Sequence, residues 1–507
     1  MAVRIDDPID DPKLPSYRHP TLRELQAELK LAGDCWEDLR GGLIRDYLPK
    51  EEGEPDDAYK ARLGRTAYRP LFRQAIEGFT GVLTRYQPAN PPQTWDNLRD
   101  DIDLEGNSEQ AFWAVADALA LRDGGCLITV DMPPGESTSR PEELAEGRRP
   151  YLVLHQRSHM VNWRLTTVNG VEVPAQVTVL ELAEVEDGEF GVKTETRYRI
   201  HGPGAWRLVT IDRASNGEVI VRQLEEGTYL DADRNPLPFP PVVWYPAEMV
   251  GFGRGALPLR QLALMSIEHL QKRSDLAEKT HMCSMPVPVR TGVAPEAPGS
   301  RAKPLVLGPN TVVDLPPGGT FDWKEPSASS LAEQRTQIAE LEAAMRDFTV
   351  NFLQGSSAKT ATQAGLEATQ TQASIQNLAR QKNSAMQRAM AIWALFTGDT
   401  LAKGAGIVMS PTIYDRPLEA ADVTQLVTMD SNGQISRRTF FEELIKGGRL
   451  TTVTSADVEL QRMADEAAAL NQQTQEQAPP VPRGEDLAED DIDLPGSDQV
   501  TGQIEDD

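Results

Sequence analysis

Cysteine is scarce in this sequence of 507 residues: there are three, Cys35, Cys126 and Cys283, far apart and without a CxxC pair. That spacing excludes a zinc ribbon and gives no disulfide framework. Long apolar runs are lacking too. The longest, Ala389 to Phe396, has eight residues, against the roughly 18 needed to cross a bilayer. The opening MAVRIDDPIDDP has no apolar segment of the secretory kind, so neither a membrane span nor export is expected. Positive charge is in deficit: 51 Lys and Arg against 77 Asp and Glu leave −26 at neutral pH. A basic patch that binds nucleic acid by displacing counterions is therefore not expected. The deficit is uneven. Glu476 to Asp507 holds 11 acidic residues and only Arg483, a net of −10.

What is present reads as an α+β chain of about three domains. Residues 1–20, rich in Asp and Pro, form an arm. Thr21 and Glu24 have capping-box spacing, and Leu22, Leu25, Leu29, Trp36 and Leu39 follow at helical spacing up to Gly41-Gly42. Helices are predicted over about 56–84 and 108–121, the latter leading through Gly124-Gly125 into a buried strand, CLITVDMPP. From Tyr151 to Trp244, short Val/Thr/Tyr/Ile runs alternate with turns at Asn169-Gly170, Asp187-Gly188 and Asn216-Gly217. That is the pattern of an antiparallel meander. A helix over 257–282 and a Pro/Gly-rich, strand-like segment between Pro286 and Glu325 come next.

Two further helices carry the most information. The first, opened by Pro326 and Ser330…Glu333, places Leu331, Ile338, Leu341, Met345, Phe348 and Phe352 along one narrow apolar seam. It stops at LQGSSAK. The second is predicted over 360–397, and its first twenty residues, TATQAGLEATQTQASIQNLA, contain one charge, Glu367. A solvated helix normally carries Lys and Glu, and a core helix carries apolar residues. A wall facing an enclosed wet space fits this composition, with a Thr/Gln-rich linker as the plainer alternative. Apolar spacing returns at Leu378, Ala385, Ala389, Trp393 and Phe396. Beyond Gly398, helices capped by Ser436 and by Thr454 or Ser455 are expected, and after Leu470 the composition is that of a disordered acidic tail.

No catalytic residue, metal ligand or cofactor site is expected. His155 and His159 stand four apart but in strand-like sequence, without an intervening Glu or a third ligand. Gly251–Gly255 (GFGRG) opens a helix but lacks the spacing of a phosphate or dinucleotide loop, and reads as a flexible turn between domains. The carboxylates of DIDLEGNSE lack EF-hand spacing, and no GxSxG is present. Among scattered basic residues, Lys359 stands out because it immediately precedes the uncharged helix.

The order of these segments resembles the portal proteins of tailed bacteriophages, in a subgroup long catalogued as a domain of unknown function. The matching residues are Trp36, Gly41, Tyr47-Leu48-Pro49, Tyr59, Arg62-Leu63, Ala67-Tyr68 and the GFTGVLTR run from Gly78 to Arg85. Then come DLEGNS from Asp103, LITVDMPP, Asn162-Trp163-Arg164, GPNTVVDLPPGG and TATQA. The resemblance covers roughly residues 20–400, more weakly to about 450, and rests on the order of the set.

The resemblance implies a virion protein: a ring of twelve copies at one capsid vertex, assembled in the host cytoplasm. Its axial channel conducts double-stranded viral DNA, without sequence specificity, in packaging and ejection. The implied partners are the terminase large subunit as packaging motor, a head-completion adaptor, and the major capsid and scaffolding proteins. The implied fold has a mixed α/β wing (21–250), a first stem helix (251–285), a small clip (286–325) and a returning stem helix (326–352). A tunnel loop (353–359), a tunnel helix (360–400), a helical crown (401–470) and the acidic tail (471–507) follow. Lys359, Thr360, Thr362, Gln363, Glu367 and Gln370 would line the channel, and the seam from Leu331 to Phe352 would pack subunits or serve an intrachain core. A tail or baseplate component, and a metal enzyme built on His155 and His159, are the alternatives from other classes.

Overall fold

The computed structural model describes residues 8–133, 135, 142–143, 146–213, 218–248, 250–284, 287–291, 317–324, 329–350, 361–409, 420–446, 449–450, 456 and 459–465. They fall into two units, Met1–Ile413, of mixed α and β structure, and Tyr414–Asp507, whose described elements are helices.

The first unit opens with α1 (Pro20–Glu24). The expected Thr21/Glu24 box does not form: His19 is the cap, its Nδ1 accepting from the Thr21 amide at 3.3 Å. Stacking on Trp163, with ring centroids 3.8 Å apart, fixes the imidazole there. The helix breaks at Leu25, resumes as α2 (Gln26–Trp36), and stops before Gly41 because Asp38 and Leu39 already turn left-handed. After α3 (Ile44–Tyr47), the helix expected over 56–84 is two, α4 (Asp56–Arg65) and α5 (Leu71–Leu83). Pro70, which has no amide to donate and biases Arg69 away from helix, separates them.

β1 (Tyr86–Ala89) and α6 (Gln93–Asn97) lead to α7 (Glu109–Asp123). Ser108 caps α7 through its Oγ, and Gly124 ends it at φ 77°. Only glycine fits there, since a Cβ would stand 2.4 Å from the Ala256 carbonyl oxygen. β2 (Gly125–Asp131) is buried along its whole length, as a continuous apolar run predicts. β3 (Tyr151–Gln156) pairs with one edge of it.

The meander is present as a separate five-stranded antiparallel sheet in chain order: β4 (Met160–Val168), β5 (Val171–Glu186), β6 (Val192–Gly202), β7 (Ala205–Arg213) and β8 (Val219–Thr228). Asn169 and Gly170 both take positive φ, as a two-residue hairpin turn demands; Asn216-Gly217 lies outside the described residues. One face of this sheet, with Leu180, Tyr198 and Ile200, makes a small core with Val161 and Val209. The other face gives Val177 and Val179 to the main core. β9 (Val242–Pro246) then returns to the free edge of β2, so β3 and β9 flank β2 and stand apart from the meander.

α8 (Arg260–Cys283), β10 (Val287–Thr291), β11 (Thr320–Lys324), α9 (Ser329–Val350) and α10 (Ala361–Thr397) follow. β10 and β11 pair as an antiparallel ribbon, within the segment read as strand-like. β12 (Gly406–Met409), where only helices were expected, pairs with β1. In the second unit, α11 (Ala420–Ser431) and α12 (Arg437–Lys446) pack through Phe440, Phe441 and Leu444 against Val423 and Leu426. Ser436 caps α12 as predicted, accepting from the Thr439 amide at 3.1 Å. The cap expected at Thr454 or Ser455, and the acidic tail, lie outside the described residues.

Candidate functional site

The element that sets this chain apart is α10, one continuous helix of 37 residues. At about 1.5 Å per residue it is roughly 55 Å long. Its C-terminal half is built into the core of the first unit. Leu378, Ala385, Met386, Ala389, Met390, Trp393 and Phe396 are all buried, and recur at the three- and four-residue steps of one helical face.

In the middle of that face stands Lys382, with no solvent exposure at all. Its Nζ donates to Asp117 Oδ2 at 2.7 Å and to the Leu83 carbonyl at 3.0 Å, and lies 4.4 Å from the centroid of the Tyr86 ring. Asp117, on α7 and equally buried, accepts at its other oxygen from Tyr245 Oη at 2.8 Å. Burial pushes this carboxyl up, while the Lys382 ammonium and the Tyr245 hydroxyl pull it back. Tyr86 in turn donates to the buried Glu109, which also accepts from Arg99 Nε at 2.8 Å. One charged network thus ties α10 to α5, β1, α7 and β9. Sequence reasoning missed it, although the signal was there: Lys382 falls four residues from both Leu378 and Met386, in the apolar stripe.

The C-terminal end of α10 is fixed as well. Trp393 Nε1 donates to Thr94 Oγ1 at 3.0 Å, the Thr94 amide donates to Asp399 Oδ2 at 2.9 Å, and Trp393 meets Trp95 edge-on. Asn383 Oδ1 accepts from the Ile407 amide at 2.9 Å, which holds β12 against the helix.

α8 and α9 pack side by side, and their polar contact centres on Glu342. Its Oε1 lies 2.9 Å from His269 Nε2 and 2.6 Å from Arg69 Nη1. Burial lowers the His269 pKa, with Glu342 acting in the opposite sense. Along the predicted seam, Ile338 and Met345 are buried within this one chain, and Leu341 and Phe348 lean against its main core. Leu331 is half-buried, and Phe352 lies outside the described residues. That stretch of the seam is therefore covered by the chain's own elements.

Of the residues expected to line a channel, Lys359 and Thr360 lie outside the described residues. Thr362, Gln363, Glu367 and Gln370 fall in the N-terminal part of α10, whose backbone is helical.

The other candidates are structural. Gly251–Gly255 is not a flexible turn, because the buried Arg157 guanidinium donates to the carbonyls of Gly255 at 2.6 Å, Gly253 at 3.3 Å and Asp123 at 2.9 Å. In DIDLEGNSE, Asp103 Oδ1 accepts from the Glu105 and Asn107 backbone amides and Oδ2 from the Asn107 side chain. His155 is the next-to-last residue of β3, and His159 sits in a 3-10 turn with its Nε2 2.6 Å from Gln156 Nε2. No three His, Cys, Asp or Glu side chains among the described residues are grouped to hold an ion.

Burial holds His155 at about 3 and His201 well below the usual imidazole range. The unfolded chain takes up these protons near pH 6.5 while the folded chain does not. Their contribution to stability is complete above about pH 6.5 and is lost as pH falls toward the folded values, by up to ~1.4 kcal/mol per unit for each ring. The urea midpoint should accordingly be lower at about pH 5 than at about pH 7.5; an unchanged midpoint would contradict the neutral, buried assignment.

A family model described as a domain of unknown function (DUF4055) matches residues 258–397. That segment runs from just before α8 to the last residue of α10. No curated protein matches the chain. Among solved structures, it is similar to a chain of the virion of a native gene transfer agent particle, at 12% identity and a TM-score of 0.37, covering 79% of this chain and 95% of that one. A chain from the neck of the empty particle, computed with C6 symmetry, gives 12% and 0.34 over the same shares. One from the native neck, computed with C12 symmetry, gives 10% and 0.35 over 75% and 90%. Likenesses of that degree assign neither fold nor role to this chain.

Proposed function

We propose that this chain is a portal protein: twelve copies form a ring at one capsid vertex, and double-stranded viral DNA passes along its axis during packaging and ejection. The observation that carries the reading is α10. Its C-terminal half is riveted to the core through Lys382 and Trp393, while the sixteen residues from Ala361 to Gln376 carry one charge, Glu367. A wall along which DNA slides must not trap it. Each phosphate neutralised by a cation adds salt-dependent affinity, so Thr and Gln on a long, firmly held helix suit passage better than Lys and Arg. The order of sequence segments that resembles portal proteins supports the same reading, and α8 and α9 supply the antiparallel pair it needs for a stem. The ribbon β10–β11 is proposed as part of the clip that meets the motor and the head-completion adaptor.

Within this reading Lys359, just ahead of α10, gives each subunit one cation at the channel. Lys359→Glu should leave rings intact and reduce the DNA retained in heads. The check is to count DNA-filled particles made with the variant subunit; a normal yield of filled heads would remove the role given to Lys359.

A further inference from the structure

A cavity of about 650 Å3, within the range of volumes that hold small ligands, is lined by β2, β3 and the inner face of β5 and β6, together with one face of α7 and the loop before it. Strand alternation builds it. Thr129 and Asp131 of β2 share a face with Tyr151, Val153 and His155 of β3, and Glu181 and His201 face them from the meander. Two polar groups in its wall have no hydrogen-bond partner among the described residues. Thr129 is 1% exposed and its Oγ1 makes no hydrogen bond; His201 is fully buried and its Nε2 makes none, although its Nδ1 lies 2.7 Å from the Tyr229 hydroxyl. Unpaired buried polar atoms are rare and call for an explanation.

The charge of the lining is one-sided. Among the described lining residues, Asp103, Glu105, Asp131 and Glu181 stand against one permanent cation, Arg199. That guanidinium is already engaged, with Nε 2.5 Å from Glu181 Oε1 and its plane over the Trp206 ring. Asp131 accepts from the Met132 amide at 2.8 Å and from the Tyr151 hydroxyl at a long 3.5 Å, and forms no ion pair among the described residues. Burial pushes its carboxyl up, and the nearby Arg199 charge pulls it only part of the way back. His155 and His201 are neutral for the same reason and do not oppose a cation. An anion would meet this field unfavourably, and the described residues offer no three-ligand metal site.

We infer that this cavity binds an alkylguanidinium group, with Asp131 as its charge partner and Thr129 and His201 among its hydrogen-bond partners. Acceptors spread over two sheets suit a planar, five-donor fork better than a compact ammonium. Two sources share this chemistry, a free small cation and an arginine side chain of a second copy of the chain. The inference does not depend on the ring.

Titrating the full chain with butylguanidinium chloride in a calorimeter tests it. Saturable binding at one site per chain is expected, with the neutral butylurea inert. Asp131→Asn should weaken binding about tenfold or more, and Thr129→Val severalfold. If Asp131→Asn does not fold, as judged by circular dichroism, the Thr129→Val and butylurea results decide alone. Binding without a change of mass assigns a free cation, whereas binding that dissociates an oligomer assigns a side chain of a second copy. No saturable heat up to about 10 mM probe, well above a millimolar dissociation constant, would overturn the inference. So would butylurea binding equally well.

Discussion

Lys382→Ala should lower the unfolding free energy of the first unit by roughly 3–5 kcal/mol, the usual loss when one partner of a buried ion pair is removed. Asp117 would keep its buried charge with only Tyr245 to answer it, and the Leu83 carbonyl would lose its donor. Burial would then drive the carboxyl further up until it bound a proton. The double change Lys382→Met with Asp117→Leu should recover much of the loss, because it removes both charges and fills the space with apolar atoms. Urea denaturation of wild type, single and double variants measures this directly. A single-variant loss below about 1 kcal/mol, the range of an exposed pair, would mean that the network does not hold α10. Hydrogen exchange adds a local reading, since amides from about Leu378 to Phe396 should exchange faster in Lys382→Ala.

The second large effect is expected at Arg157. This residue is 1% exposed, it reaches three backbone carbonyls, and it lies 5.6 Å from the Trp244 ring centroid. Arg157→Ala leaves three carbonyls, two buried and one half-buried, without this donor, and a loss of about 3–5 kcal/mol follows from the cost of each unpaired group. Arg157→Lys should restore only part, because an ammonium lacks the planar fork that spans Asp123, Gly253 and Gly255. The turn has no room to adjust, since at Gly253, where φ is 68°, a Cβ would come within 2.5 Å of Trp163. Denaturation midpoints of the two variants check the order; equal stability of Arg157→Lys and wild type would show that charge alone, without geometry, suffices.

Much of this architecture was legible in the residues. Val/Thr-rich runs separated by Asn-Gly and Asp-Gly pairs point to the meander, most sharply at Asn169-Gly170, where a two-residue turn with positive φ leaves few alternatives. The apolar steps from Leu378 to Phe396 gave the embedded half of α10. Other features were illegible because a distant residue decides them. His19 became a helix cap through stacking on Trp163, more than a hundred residues away. β12 exists because β1 offers it an edge, and four residues of Gly406–Met409 carry no periodicity long enough to read. Gly251–Gly255 looked flexible because nothing in the sequence couples it to Arg157. Lys382 was the avoidable miss, since a lysine in phase with an apolar stripe implies a buried carboxylate opposite. His155, which stands four residues from His159 in the sequence, shares the wall of one cavity with His201 instead of forming a metal site with its neighbour.

The central claim is that copies of this chain close into a ring around DNA. Cryo electron microscopy of the purified full chain, with native mass measurement alongside, tests it most directly. The account predicts closed twelvefold rings with an axial opening wide enough for a duplex, and with the N-terminal half of α10 at its wall. A monomer at every concentration and salt condition, or an assembly with no axial channel, would contradict it.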